Sequence, residues 1–250
     1  MTHLLLLGAT GNLGRVVLQQ ALEAGHQVTV VVRSPDKLPA ALRSRVQVRQ
    51  ADLDRAPPAE LAALLAGPQA VINTAGRVGD GAGFVRLVDR IATALEAQPE
   101  GARPVAWFLG GAALLDLDAR GRRGLDLPRV AATYGPHREN FERLRRGPLD
   151  WRMLCPGPMV EGPALGLPRL RTSIDRVPVT MPALAEHLPG PLLLPVFGYK
   201  VPEMIVPYAD AAALMLAHLS PGGPMSRHRV GLALPEGQRG HKREWTAKAG

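Results

Sequence analysis

Cysteine occurs once in the sequence, at Cys155, so no disulfide can close within the chain, and such sparing use fits a reducing compartment. Aromatic residues make up only 4%, and lysine is nearly missing: of 30 basic residues four are Lys and 26 are Arg. No apolar run approaches the roughly 20 residues of a membrane helix. Met1-Thr2-His3 lacks the charged lead of a secretory signal. Repeats and low-complexity tracts are absent, and no metal is expected. A formal net charge of +8 raises the question of nucleic acid, but the arginines are scattered along the chain and only Gly240-His241-Lys242-Arg243 is locally basic. A nucleic-acid surface needs its cations gathered on one face, so a generally Arg-rich surface is the simpler account. The expectation is a cytoplasmic chain, monomer or homodimer, with no nucleic-acid or membrane partner, acting on a small molecule.

What the chain does hold is apolar residue, 46% of 250, ample for one large core. It also holds glycine, 27 in all, with three evenly spaced in one stretch. In Leu4-Leu5-Leu6-Leu7-Gly8-Ala9-Thr10-Gly11-Asn12-Leu13-Gly14 an apolar run breaks into glycines and then into a helical pattern. The pattern predicts a strand, a phosphate loop and a helix. Gly8 lets the chain turn sharply, Gly11 clears the approach of a pyrophosphate, and Gly14 lets the helix lie close on the sheet. The helix start offers free N–H groups and a positive dipole end to the phosphates. An ordinary strand-to-helix turn is the bland alternative; a flanking strand and a flanking helix favour the dinucleotide.

Strands and helices then alternate. A helix with Leu13, Val16, Val17, Ala21 and Leu22 on one face ends at Gly25, and the β-branched run Gln27 to Val32 reads as a buried parallel strand ending at Arg33-Ser34-Pro35. In a dinucleotide fold that strand end faces the adenosine ribose. Arg33 there, with Ser34 and Lys37 nearby, argues for the 2′-phosphate of NADP; a solvated arginine after a strand is the alternative. Further strands are expected at 46–50, 70–73 and 105–109, with helices from Pro57 or Pro58 to Gly67 and from Phe84 to about Gln98. Short connections imply right-handed crossovers and ligands at the strands' carboxyl ends, where Asp52 and Thr74 to Arg77 stand. Residues 116–133 read as a surface loop, a helix as starting at Pro136 and running to about Arg146, and Leu149 to Cys155 as a strand stopped by Pro156-Gly157-Pro158. From Glu161 to Val206 the alternation fails. A long irregular insert is usually a lid, so this one is expected as a mobile cover over the substrate side. A helix from Tyr208 and a strand at 229–233 complete an α/β fold: one domain over 1–250, a doubly wound parallel sheet with helices on both faces.

The glycine stretch, Val32-Arg33-Ser34, Ala51-Asp52-Leu53, the Gly110-Gly111 break and Leu149-Asp150-Trp151 leading to Pro156-Gly157 resemble the atypical short-chain dehydrogenase/reductase group, with its Rossmann-type fold. Within that group the likeness is to NAD(P)H-binding proteins related to flavin reductase/biliverdin-IXβ reductase and to NmrA-like redox sensors. The resemblance implies that Gly8, Thr10, Gly11, Asn12 and Leu13 line the pyrophosphate, Arg33 the 2′-phosphate, and Asp52 with Leu53 the adenine. It places Ala75, Gly76, Gly110, Pro156 and Gly157 beside the nicotinamide half, with Arg77 following Gly76 on the same rim. Ordinary members pair a tyrosine with a lysine one helical turn on, which lowers the phenol's pKa. Here Tyr134-Gly135-Pro136-His137-Arg138 has no lysine, and the Gly-Pro pair is expected to leave Tyr134 just outside the helix, out of line with Arg138. His137, whose ordinary pKa is close to neutrality, stands where many relatives carry the lysine. Tyr134 and His137 are the candidate catalytic pair, against the alternative of a packed tyrosine and a helix-start histidine.

Two functions stay open. One is an NADPH-dependent reductase passing hydride to a flat acceptor such as a flavin or quinone, which needs no ionised tyrosine because the cofactor carries the hard chemistry. The other is a non-catalytic NADP-binding sensor of the NmrA-like kind.

Overall fold

The four leucines that open the chain become the middle of the sheet. In a strand successive side chains face opposite ways: Leu5 and Leu7 of β1 (His3–Leu7) join the apolar layer on one face, and Leu4 and Leu6 the layer on the other. All four are fully buried, because helices cover both faces. These features come from a computed structural model that describes residues 1–242; Arg243, the last residue of the basic end, lies outside the described residues.

Around β1 the chain lays down α1 (Asn12–Glu23), β2 (Gln27–Val32), the short α2 (Ala40–Arg43), β3 (Gln47–Gln50), α3 (Pro58–Leu65), β4 (Ala70–Asn73), α4 (Ala82–Glu96) and β5 (Val105–Leu109). The second half supplies α5 (Pro128–Arg146), β6 (Trp151–Leu154), β7 (Met159–Val160), β8 (Arg171–Ile174), α6 (Gly190–Lys200), β9 (Val206–Pro207), α7 (Tyr208–Ala217) and β10 (His228–Ala233). The eight-stranded sheet runs β3-β2-β1-β4-β5-β6-β10-β8, all parallel except β8 against β10. The strand order reverses between β1 and β4, the crevice where such sheets bind ligands. This is a Rossmann-type fold. Side chains of α3, α4 and α5 fill one face, those of α1 and α7 the other. Among the described residues no helix is long and apolar enough to cross a membrane.

Two regions depart from the expectations. Helix α5 starts at Pro128, not at Pro136, and Gly135-Pro136 lies inside it, so much of the expected 116–133 loop is turn and helix. Proline lacks only its own N–H, which removes the i+4 donor of the Ala132 carbonyl; the rest of the ladder persists because the helix is anchored below. Val130 and Ala131 donate to the Leu127 carbonyl at 3.0 and 2.9 Å, and Arg138 donates to Leu125 O and, at 2.9 Å, to Asp126 Oδ1. Tyr134 is therefore helical, with Arg138 one turn on and engaged elsewhere.

The second region is residues 161–206. β8 joins the edge of the main sheet, and β7 pairs with β9. Helix α6 leans Leu193 and Phe197 inward, the latter against Gly124, and leaves Leu192 and Tyr199 exposed. The guanidinium of Arg122 ties the preceding turn down, donating to the carbonyls of Ala185, Glu186 and Leu188 and to Asp118. A four-residue strand without strict apolar alternation, and a helix carrying Pro191 and Pro195, give no periodic signal to read.

Candidate functional site

Gly8 turns the chain out of β1 with φ +81°, a left-handed conformation that glycine adopts without strain. The N–H of Gly11 donates back to Gly8 O at 2.9 Å, which closes the loop. Helix α1 begins at once, and its first internal donor is Arg15, to Gly11 O at 2.9 Å. The N–H groups of Asn12, Leu13 and Gly14 thus have no protein acceptor among the described residues, as at any helix start. Asn12 and Leu13 line a cleft of about 1120 Å³ together with Gly8, Thr10 and Gly11, and Gly14 is buried behind them. An anion there meets the free N–H groups of the helix start and the positive end of the helix dipole.

The same cleft runs to the end of β2, where Arg33, Ser34 and Lys37 line it. Neither Arg33 nor Lys37 pairs with a carboxylate among the described residues, although both are exposed cations. Asp52 and Leu53 border it next. Asp52 accepts the N–H of Asp54 at 3.0 Å on one carboxylate oxygen and has Arg55 Nε 3.9 Å from the other, while Leu53 is buried and its carbonyl takes the Arg90 guanidinium at 3.1 Å. Ala75, Gly76 and Arg77 form the β4 side. Gly76 has φ +93°, and a Cβ on it would lie 2.5 Å from Cδ2 of Phe84. The residues present therefore fit a dinucleotide: a cradle that side chains would fill, free N–H groups, and unpaired cations at one end.

Several lining residues escape the sequence reading. Phe84, Arg86, Leu87 and Arg90 all come from α4, and Met159 and Tyr208 flank the 161–206 segment, none of whose residues lines the cleft. Leu87 and Phe84 read as core because they follow the helical period, and they are core. The available signal was position: a helix that starts at a strand's carboxyl end has its first turns on the ligand rim.

Gly110, Pro156 and Gly157 stand outside the lining. A Cβ on Gly110 would come within 2.7 Å of Cys155 Sγ, and one on Gly157 within 2.6 Å of Met204 O, so both are packing glycines; the Pro156 carbonyl accepts Ala112 N–H at 2.9 Å. Cys155 is enclosed, and burial pushes its thiol up to about 12, which makes it inert.

Tyr134 and His137 do meet. Their rings stack 6.3 Å apart at an interplanar angle of 9°, and His137 also packs edge-on against Phe84 at 5.6 Å. Since Phe84 lines the cleft, the pair sits one ring behind its wall. Gly111, partly exposed just past β5, lets the imidazole edge pack close: a Cβ there would lie 3.2 Å from Cδ2 and 3.4 Å from Nε2. His137 is only 7% exposed, and burial pushes its pKa from 6.5 down to about 4. The expectation of a histidine exchanging protons near neutrality is thereby corrected: enclosure by Phe84 and Tyr134, invisible in the sequence, keeps it neutral. The unfolded chain takes up this proton near 6.5 and the folded chain only near 4, so stability is complete above about 6.5 and falls as pH drops through that window. From pH 7 to 4.5, His137→Leu should lose about 2–3 kcal/mol less stability than wild type in urea titrations. Equal losses would mean that water reaches the imidazole.

The sequence model of an NAD(P)H-binding family matches residues 8–180. Among solved structures, a candidate NADH-flavin reductase from Streptococcus pneumoniae is 19% identical with a TM-score of 0.67, covering 94% of this chain and 100% of its own. A candidate epimerase from Bacteroides thetaiotaomicron is 21% identical with a TM-score of 0.70, covering 95% and 99%. A short-chain dehydrogenase/reductase from Veillonella parvula in complex with NADP is 14% identical with a TM-score of 0.66, covering 94% and 95%. At these identities the likeness is one of fold.

Proposed function

We propose that this chain, which belongs to the NAD(P)H-binding family, is a single-domain, cytoplasmic, NADPH-dependent reductase that passes hydride to a small planar acceptor such as a flavin or quinone. The observation that carries the reading is the pairing of a dinucleotide cleft with a tyrosine that no cation activates: Arg138 is bonded to Leu125 and Asp126, and His137 is held neutral. Such a site suits an acceptor whose reduced anion is stable without a strong side-chain acid. Bound NADPH would supply the hydride. The N–H groups of Asn12 and Leu13 would hold the pyrophosphate, Arg33, Ser34 and Lys37 the 2′-phosphate, and Leu53 and Leu87 would flank the adenine. His137 serves as a neutral hydrogen-bonding group at the acceptor end, reached past Gly111. Segment 161–206 would close over the acceptor.

The test is NADPH oxidation against flavins, quinones, tetrapyrroles and aldehydes; turnover with flavins or quinones supports the reading, and activity with none of the panel overturns it. That negative result fits the second reading, a non-catalytic NADP-binding sensor, which is favoured by the position of Tyr134 and His137 behind Phe84. In the reductase, Tyr134→Phe should lower quinone turnover by less than about tenfold and His137→Ala by roughly ten- to a hundredfold, with NADPH binding unchanged. A collapse of more than about a thousandfold in Tyr134→Phe would instead mark a tyrosine-dependent dehydrogenase of alcohols and carbonyls.

A further inference from the structure

Arg90 stands where two cavities meet. On α4 the residues Gly83, Leu87 and Arg90 follow one another by four and three positions, so they share one face of the helix, and all three line the dinucleotide cleft. Arg90 also borders a groove of about 210 Å³ that it shares with Pro58 and Leu61 of α3. From there its guanidinium reaches the turn that joins β3 to α3. Nε donates to Leu53 O at 3.1 Å, and Nη2 donates to Ala56 O. Both residues are buried, and among the described residues neither carbonyl accepts from any other donor. The next two residues, Pro57 and Pro58, have no N–H to offer. A buried carbonyl without a donor is costly, so the turn depends on Arg90 for its shape.

That turn is also a wall of the cleft, through Asp52, Leu53 and Asp54. It is held partly from within: an Asp52 carboxylate oxygen takes the Asp54 N–H at 3.0 Å, and Asp52 O takes those of Arg55 and Ala56 at 3.1 and 2.9 Å. Arg90 ties it to α4. Among the described residues no carboxylate draws the guanidinium away, since the neighbouring Asp89 pairs with Arg143 instead. Two carbonyls on one planar group call for the arginine fork, where a lysine would bring a point charge without that geometry. We propose that Arg90 is a positioning residue for the adenosine half of the cofactor: by pinning the Leu53 and Ala56 carbonyls to α4, it keeps the Asp52–Asp54 wall in the shape that receives the base. The proposal rests on the reading that places adenine against Leu53. Its effect falls on affinity and not on the hydride step, because the wall it shapes meets only the adenosine half.

Calorimetric titration of 2′,5′-ADP, the adenosine fragment, and of NADPH into full-length wild type, Arg90→Ala and Arg90→Lys is the test. Arg90→Ala should bind both ligands about tenfold more weakly, and by the same factor, since the defect is confined to the half they share. Methylguanidinium, admitted by the groove between α3 and α4, should restore most of that affinity, and methylammonium should not. Arg90→Lys, which keeps length and charge but not the fork, should still lose about three- to tenfold. Three results would overturn the inference: wild-type affinities in either variant, rescue by methylammonium as good as by methylguanidinium, or a much larger loss for NADPH than for 2′,5′-ADP. The last would mean a general weakening of the fold that reaches the nicotinamide half too. Arg90→Lys decides if Arg90→Ala does not fold. If wild type binds neither ligand, the dinucleotide reading fails and this one with it; if wild type binds both and the variants match it, this one fails alone.

Discussion

Arg33→Asp should weaken NADPH binding by roughly a hundredfold and leave NADH binding unchanged or better. One charge-assisted contact to the 2′-phosphate is worth about 1.5–3 kcal/mol, or roughly ten- to a hundred-and-fiftyfold in affinity. The new carboxylate adds repulsion toward the phosphate and a partner for the ribose hydroxyl of NADH. Arg33 has no carboxylate partner among the described residues, so its loss orphans no protein group. Lys37 lines the same end of the cleft, and Lys37→Gln alone should cost NADPH about tenfold or less, since a lysine acts as a point charge without the arginine fork. Fluorescence titration of both cofactors into wild type and the two variants is the measurement. Equal wild-type affinities for NADPH and NADH would remove the preference altogether.

Gly14→Ala should be a severely damaging single methyl. Its Cβ would run into the Gly8 carbonyl oxygen and stand 2.8 Å from both the Gly8 carbonyl carbon and Thr74 Oγ1. None of these can yield: Gly8 holds the turn, and the Thr74 hydroxyl donates to Leu7 O at 2.8 Å. Helix α1 must lift off the sheet, an overpacking cost of about 3 kcal/mol, seen as a Tm lower by about 6–12 °C, and NADPH binding should be lost with it. Gly11→Ala makes the contrast. Its Cβ would meet only Gly8 O, at 3.3 Å, so folding should stay near wild type while the methyl blocks the pyrophosphate. A Gly14→Ala protein that binds NADPH as wild type would show that the close approach of helix to sheet is dispensable.

The start of the chain was legible because each signal there is local. A four-leucine strand, a φ-positive turn at Gly8 and an amphipathic helix ending before Gly25 each follow from neighbouring residues. The buried β-branched strand β2 and the position of Arg33 at its end were legible for the same reason. Residues around Pro136 were not, because Gly-Pro is ordinary punctuation and only the anchoring of Leu127 and Arg138 lets the helix run through it. The state of His137 was hidden too. Its neutrality depends on Phe84 from α4 and on Tyr134, a ring that the helix carries through Gly135-Pro136. Gly110 and Gly157 are ligand glycines by the family resemblance, yet the tight neighbour of the first is Cys155 and of the second Met204, both in the core.

The two outermost strands of the sheet, β3 and β8, hold four residues apiece: Gln47-Val48-Arg49-Gln50 and Arg171-Thr172-Ser173-Ile174. An unpaired strand edge is a template on which a second chain can nucleate intermolecular sheet, and the hazard grows with length, flatness and apolar content. Here each edge offers only one short row of open backbone groups, carries an arginine, and includes no run of apolar residues. β8 in addition turns the sheet's last rung antiparallel, so the long, almost wholly buried β10 is never presented to a neighbour. The fold should therefore stay free of edge-to-edge aggregation at high protein concentration, and β8 is the element whose removal would make it fibre-prone.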